Sequence, residues 1–287
     1  MNSYGNITNR LIGVKAQNFY PNFRQVTPAS WTSGITDLSC SWLFNQKGTM
    51  IVKALGNKPL DGTFTNMNNT NWVDNQWGGG VTFQDSNDVI NVPNYYDYTN
   101  FGNSLTDRPF TVIALIETSS SATAEYVIGR WGNGLTEWVF GLTTLKKPVL
   151  YAYDNSAAKV INIAANNALS AYTKYCIACT YDGRSGATAA TGMKLYVNGY
   201  QVAATVANDA SYVAMECGTA VENVVTIGNS GGAGTTPWKG SITKIDVFGQ
   251  NKSAQEMLAN YNDPFNMFRG VPMYPSSGGR RRILVGG

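Results

Sequence analysis

The stretch MKLYVNGYQVAATV, Met193 to Val206, constrains the fold more than any other part of the chain. Asn198-Gly199 is the preferred pair for a two-residue type I′ turn, because both central positions need a positive φ that these residues tolerate. On the first arm Met193, Leu195 and Val197 alternate onto one face, the period-2 pattern of a strand with one buried side. Similar signals recur along the chain. LSCSWLF (Leu38 to Phe44) puts Leu38, Cys40, Trp42 and Phe44 on one face, and TVIALIET (Thr111 to Thr118) is a continuous apolar run expected of a strand covered on both sides. EYVIGRW, EWVFGL, PVLYAYD and KVINIAA follow at about ten-residue spacing, a rhythm that predicts a β-sandwich.

One helix is predicted near the C-terminus. Ser253 and Glu256 form a capping box ahead of SAQEMLANY, Met257, Leu258 and Tyr261 give an apolar stripe for docking on the sandwich, and the Asp263-Pro264 step ends the helix. Composition supports the β reading. Charged residues are 14% of the 287, below the roughly 25% of ordinary globular chains, while 43% are hydrophobic and 12% aromatic. Long solvated helices need more charge than this, whereas strands joined by Asn-, Gly-, Ser- and Thr-rich turns do not. The length suits one large domain, since a β-sandwich above 200 residues is often undivided.

Net charge is +3 and no basic run precedes Arg280, Arg281 and Arg282, so a nucleic-acid partner is not expected. The first twenty residues contain no apolar run of signal-peptide length, and no window reaches the ~20 apolar residues of a membrane span. The expectation is a chain made and folded in a cytoplasm, without membrane insertion. Of the four cysteines, Cys176 and Cys179 form a CxxC inside a strand-like run, which points them to opposite faces. With no histidine in the chain and Cys40 and Cys217 isolated, all four thiols are read as core rather than redox or zinc residues.

VTFQDSNDVINVP (Val81 to Pro93) gathers Asp85, Asn87 and Asp88 between two apolar runs. Val81 and Phe83 are expected to end one strand and Ile90 and Val92 to lie on the next, with QDSND as the turn of a hairpin whose side chains bond their own backbone.

Four blocks in order carry a resemblance: SWLFNQKGTM, DGTFTNMNNTNWVDNQWGGGVTFQDSNDVINVP, YCIACTYDGRSGATAATGMKLYVNGYQVAATV, and VTIGNSGGAGTTPWKGSITKIDVFGQNKSAQEMLANYNDPFNMFR. Together they resemble the laminin G-like, concanavalin A-like jelly-roll domain over residues 35–269, in versions found in bacteriophage and prophage virion proteins. The chain departs from those relatives at Gln46-Lys47 and at Asp61. The resemblance implies an all-β fold of two antiparallel sheets packed face to face with Greek-key crossings, a concave face flanked by loops, and one short helix near the C-terminus. Residues 1–34 and 270–287 lack sustained periodicity and are read as an N-terminal arm and a basic C-terminal arm.

Glycan-cleaving relatives of that fold carry carboxylates at alternate strand positions, because a retaining glycosidase needs two carboxyls ~5 Å apart. None of the six glutamates, Glu117, Glu125, Glu137, Glu216, Glu222 and Glu256, has an acidic residue two positions away. Without histidine, triads and His-metal centres are also excluded as usually built, so no catalytic residue and no cofactor is expected. Sugar binding stays open: Trp131 and Trp138 in GRWGNGLTEW suit an aromatic platform, though core packing is the reading preferred. The family also implies a possible structural calcium, for which Asp85, Asn87 and Asp88 are oxygen donors of the right kind; a turn is preferred, since an ion wants six to eight oxygens.

The function these readings converge on is a non-enzymatic virion structural protein. It is expected at the virion surface, as a capsid decoration (cement) protein held to the major capsid protein or other virion proteins by its arms. Arg280, Arg281 and Arg282 would face acidic patches there, level with a reading as solvent-exposed charge. The alternative is a carbohydrate-binding adhesin or receptor-binding module on a tail or head fibre, with a polysaccharide partner; a homo-oligomer fits either. A bacterial cell-surface domain would need an export signal.

Overall fold

The computed structural model describes residues 38–44, 49–55, 60–75, 77, 79–93, 99–130, 136–216, 224–229 and 236–265. In chain order the strands are β1 (Leu38–Leu43), β2 (Ile51–Val52), β3 (Ala54–Leu55), β4 (Gly62–Thr65), β5 (Trp72–Val73), β6 (Gly80–Thr82), β7 (Val89–Val92), β8 (Phe110–Glu117) and β9 (Glu125–Arg130). They continue as β10 (Trp138–Leu142), β11 (Pro148–Asp154), β12 (Lys159–Ala165), β13 (Lys174–Tyr181), β14 (Met193–Val197), β15 (Tyr200–Gln201), β16 (Ala204–Ala207), β17 (Val225–Ile227) and β18 (Ser241–Phe248), followed by helix α1 (Ala254–Asn262). Sheet A runs β15-β14-β13-β8-β18-β1-β3, with β6 beside β18 and β5 beside β6; sheet B runs β16-β12-β11-β10-β9-β17-β7-β4-β2. The expected all-β sandwich of two antiparallel sheets with one short helix is what the chain forms.

One apolar core lies between the sheets, with Trp42, Phe110, Ile177, Leu195 and Val247 from sheet A facing Phe64, Ile128, Trp138, Phe140 and Ile163 from sheet B. The type I′ turn forms as expected, Asn198 at φ 51° and Gly199 at φ 82°. Its second arm is shorter than the sequence suggests: after Gln201 the chain leaves sheet A, and Ala204–Ala207 pair with β12 of sheet B. A Cβ on Gly199 would stand 2.9 Å from the Tyr261 Cβ and 3.0 Å from the Leu258 Cα, so the predicted face of α1 packs on this turn. The capping box of Ser253 and Glu256 is present.

Sheet A is covered on both sides. Beyond the inter-sheet core, Leu38, Ile113, Leu115, Cys176, Ala178, Tyr196 and Phe248 form a second buried layer with Met257 of α1, against which Trp77 and Phe265 pack. This fulfils the expectation for TVIALIET, and it places the CxxC thiols as predicted, Cys179 in the inter-sheet core and Cys176 in the second layer. Burial pushes the Cys176 thiol up to about 12 and raises those of Cys40 and Cys179, so all three stay protonated; Cys217 lies outside the described residues. The alternation in LSCSWLF is broken. Register shifts between Leu38 and Cys40, and this bulge turns Leu38 into the second layer while Cys40, Trp42 and Phe44 face the main core.

VTFQDSNDVINVP is not a hairpin. β6 pairs with β5 and β18 in sheet A, and β7 pairs with β4 and β17 in sheet B, so QDSND arches from one sheet to the other. Period-2 alternation on either side of a turn reads alike in both cases, because a strand's pattern does not tell which sheet its partner is in.

Candidate functional site

Sheet A is covered on both faces; on the outer face of sheet B the central Gly129, Val139, Gly141, Val149 and Thr226 are buried, while Tyr126, Tyr151, Asn162 and Ala164 are half-buried and Thr63, Thr205 and Ala207 exposed. Registers align one row of residues across this outer face: Thr63, Asn91, Thr226, Gly129, Val139, Tyr151, Asn162 and Ala207, each opposite the next on strands β4, β7, β17, β9, β10, β11, β12 and β16. A second row runs Tyr126, Gly141, Val149, Ala164 and Thr205. Both alternate with core residues such as Ile128, Phe140, Leu150 and Ile163, and therefore point outward.

Small residues form the floor of this face. A Cβ on Gly141 would fall 2.2 Å from the Glu125 carbonyl oxygen and 2.8 Å from the Tyr126 Cα, and one on Gly129 would fall 2.7 Å from the Trp138 carbonyl oxygen. The tyrosines stand around that floor. Burial raises the phenols of Tyr126 and Tyr151, and the two are close enough for one to raise the other further. Asn91 and Asn162 add amides, the former donating from Nδ2 to the Thr65 hydroxyl at 2.9 Å. The half-buried Tyr126, Tyr151 and Asn162 at the margin of this buried floor are the kinds of group on which a pyranose stacks its C–H face and with which its hydroxyls exchange hydrogen bonds.

The residues singled out from sequence lie elsewhere. Trp138 is fully buried, its indole donating to the Thr99 carbonyl at 3.0 Å and its ring 5.4 Å from Phe101 and 5.5 Å from Phe110; the packing reading holds and the platform reading does not. Trp131 and Arg280, Arg281 and Arg282 lie outside the described residues. Asp88 is buried and locks the arch: its Oδ2 accepts from the Gln84 and Asp85 amides at 2.8 and 3.1 Å and from Asn71 Nδ2 at 3.0 Å. Asn66 and Asn229 donate to the Asn87 and Ser86 carbonyls. Asp88 Oδ2 and these carbonyls thus serve the turn, while Asp88 Oδ1 and Asn229 Oδ1 are buried without a hydrogen-bond partner; among the described residues no three His, Cys, Asp or Glu side chains gather as a metal site. Asp61 accepts from Lys53 Nζ and the Ala54 amide.

The buried glutamates are held in place. Glu125 accepts from Ser119 Oγ at 2.7 Å, Lys146 Nζ at 2.6 Å and the Lys239 amide, and Glu137 pairs with Arg130 at 3.1 Å. At one end of the sandwich Asp107 accepts from the Tyr181 and Tyr212 hydroxyls at 2.6 and 2.9 Å and from the Met215 amide at 2.7 Å. Burial pushes this carboxyl up to about 6, although those hydrogen bonds lower it, and Asp154 nearby raises it. A value above the unfolded one means that folding favours the protonated form. The stabilisation is complete below about pH 4 and is lost as pH rises through 6, an effect of about 2–3 kcal/mol. Asp107→Asn, which keeps the shape without the charge, is expected to melt above the parent protein at pH 7.5 and together with it at pH 4; a constant offset between the two melting curves across that range would remove the assignment.

A family model described as the concanavalin A-like lectin/glucanases superfamily, of the laminin G type, matches residues 91–257, more than half of the chain. The chain belongs to this superfamily. The concanavalin A-like sandwich also begins well before that match, since β1 to β6 are integral to its two sheets. Comparison with curated proteins gives no significant match. Solved structures similar to it include the binding domain of Paraclostridial Mosquitocidal Protein 1, at 13% identity and TM-score 0.52 over 80% of this chain and 53% of that one. The botulinum neurotoxin serotype G binding domain matches at 14% identity and TM-score 0.55 over 80% and 52%. Trypanosoma rangeli sialidase in complex with sialic acid matches at 12% identity and TM-score 0.52 over 88% and 39%. The chain thus spans about half the length of the toxin binding domains, and at these identities the likeness concerns the fold alone.

Sequence reading passed over the outer face of sheet B. Its signal was present: Tyr151 and Tyr153 alternate with Leu150 and Ala152 in PVLYAYD, and Asn162 sits between Ile161 and Ile163. What the sequence alone does not show is that Gly129, Gly141 and Tyr126, from other strands, complete the same surface.

Proposed function

We propose that this laminin G-like domain is a non-enzymatic recognition module that holds polysaccharide on the outer face of sheet B. The observation that carries the reading is the pair of rows in which the half-buried Tyr126, Tyr151 and Asn162 edge the buried Gly129, Val139 and Gly141. The non-catalytic part is supported by Glu125 and Glu137, whose carboxylates are buried in ion pairs rather than presented beside that floor. Neighbouring folds titled as binding domains and as a sialidase in complex with sialic acid are consistent with saccharide or receptor recognition. A glycan array is the first test. Tyr151→Ala is expected to weaken binding to the best array ligand about tenfold or more while leaving the melting temperature within a few degrees, since it removes a stacking ring at the surface. No ligand above background would remove the proposal.

The setting we infer is the surface of a bacteriophage particle, with the chain as a capsid decoration protein bound to the major capsid protein. This rests on the phage-type sequence blocks, including the ending NDPFNMFR, and on arms at 1–34 and 270–287 that have no strand pattern of their own. Removing residues 270–287, with Arg280, Arg281 and Arg282, is expected to lower retention on purified particles with the sandwich still folded. Full retention after truncation would count against the arm as the attachment.

A further inference from the structure

Three connecting segments meet around the Asp107 carboxyl at one end of the sandwich. Segment 101–108 is closed by the Arg108 amide on the Phe101 carbonyl, and the Ser104 amide ties it to segment 209–216 at the Met215 carbonyl. The loop 182–192, which joins β13 to β14, donates from the Gly186 amide to the Val213 carbonyl at 2.8 Å, and its Ser185 Oγ accepts from the Asp107 amide at 2.7 Å. Asp154 on β11 takes the Val213 amide at 2.9 Å. Neither the loop nor segment 209–216 belongs to a sheet, so these acceptors are what hold them to the end of the sandwich.

Counting hydrogens at this junction separates two states of Asp107. The Tyr181 hydroxyl has two oxygens within bonding reach, Asp107 Oδ2 at 2.6 Å and the Arg184 carbonyl, but only one hydrogen to give. A carbonyl can only accept. Both contacts are therefore bonded at once only if Asp107 supplies a hydrogen of its own. As a carboxylic acid it donates from Oδ2 to Tyr181, and Tyr181 donates to Arg184. Tyr212 still donates to Oδ2 at 2.9 Å and the Met215 amide to Oδ1 at 2.7 Å, so every group is satisfied. With Asp107 ionised one hydrogen is missing. Tyr181 then donates to the carboxylate, because a charged acceptor holds a hydrogen bond more strongly than a carbonyl does, and the Arg184 carbonyl faces a bare oxygen.

We propose that the loop 182–192 is a proton-operated latch, closed over this end of the sandwich when Asp107 is a carboxylic acid and released when Asp107 ionises. The loop is built to give way before β13 does. Arg184 is exposed, and Gly183 and Gly186 on either side of it hold φ of 81° and 83°, a region where glycine turns freely. Among the charged groups of the surrounding segments, Asp154 opposes a second negative charge at Asp107. Asp182 and Arg184 pair with each other at 2.6 Å, Lys159 pairs with Asp209 at 3.7 Å, Glu216 accepts from the Ser156 amide, and Arg108 is exposed. Among the described residues no cation pairs with Asp107 to favour its charge. Burial places its titration at about 6, above the ordinary value, so the closed loop holds the proton and its closure weakens as pH rises through that value.

A carboxyl that titrates at about 6 with the loop closed and at about 4 with it open makes closure about tenfold weaker at pH 7.5 than at pH 5. Hydrogen exchange of the full chain, corrected for the intrinsic rate at each pH, is expected to show that loss of protection in the peptide covering 182–192, with β8 and β18 unchanged. In Asp107→Asn the amide Nδ2 donates to Tyr181 as the acid does, so the loop is expected to stay protected at both pH values. Tyr181→Phe lacks the shared hydroxyl, and its loop is expected to exchange equally at both. A parent loop whose protection is independent of pH, a loss shared by β8 and β18, or either variant responding to pH as the parent does, would each overturn the proposal.

Discussion

Trp138→Ala will unfold at a free energy about 3–5 kcal/mol below the parent protein, the range for truncating a large aromatic in a packed core. For a domain whose total stability is about 5–15 kcal/mol, this is enough to leave a substantial unfolded fraction at physiological temperature. The reason is local and specific. Trp138 on β10 touches both Phe101 and Phe110, themselves stacked at 4.2 Å, and Phe110 meets Tyr181 edge-on at 5.8 Å. Its removal opens a cavity between the sheets and leaves the Thr99 carbonyl without its indole donor. Trp138→Phe restores most of the volume but not the donor, and is expected to recover part of the loss. Chemical denaturation of the two variants separates the cavity from the hydrogen bond; equal losses for both would show that the carbonyl contact, not the packing, dominates.

Asp246→Ala will cost a comparable amount, about 3–5 kcal/mol, for an electrostatic reason. Asp246 and Lys244 stand on the outer side of β18, both fully buried in the second layer, with their charges 2.6 Å apart. Ser41 Oγ donates to the same carboxylate at 2.6 Å, Lys244 also donates to the Pro264 carbonyl, and its ammonium lies over the Phe265 ring at 5.8 Å. Removing the carboxylate leaves a buried ammonium without its counter-charge, which low-dielectric surroundings make expensive. The double variant Lys244→Met with Asp246→Leu removes both charges and keeps the bulk. It is expected to be far closer to the parent than Asp246→Ala alone, since apolar replacement of a whole buried pair is often neutral or stabilising. Stabilities of the single and double variants from denaturant titration decide the matter; a double variant as unstable as the single one would mean that Ser41 and Pro264, not the ion pair, organise this layer.

Local patterns in the chain were readable where a neighbour along the sequence decides the structure. The Asn198-Gly199 turn, the Ser253 cap and the opposite-facing pair Cys176 and Cys179 depend on spacing of one to three residues, and each is found as expected. The failures share a cause. The arch at QDSND, the early departure of the chain after Gln201 and the bulge that turns Leu38 over all depend on which distant strand pairs with which, and strand alternation is silent on that. The outer face of sheet B is the extreme case, because its two rows draw on eight strands and look like ordinary strand alternation until the registers are known.

The position of β18 also sets the order of events when the protein is made. Ser41 on β1 meets Asp246 on β18, 205 positions later, and β18 is the strand that joins β8 to β1 in the middle of sheet A. At synthesis rates of roughly 5–20 residues per second β1 and β8 wait on the order of ten seconds for that partner, longer than most single elements need to form. The centre of sheet A therefore closes only after nearly all of its strands have been made, a consequence of the long sequence separation of its pairs.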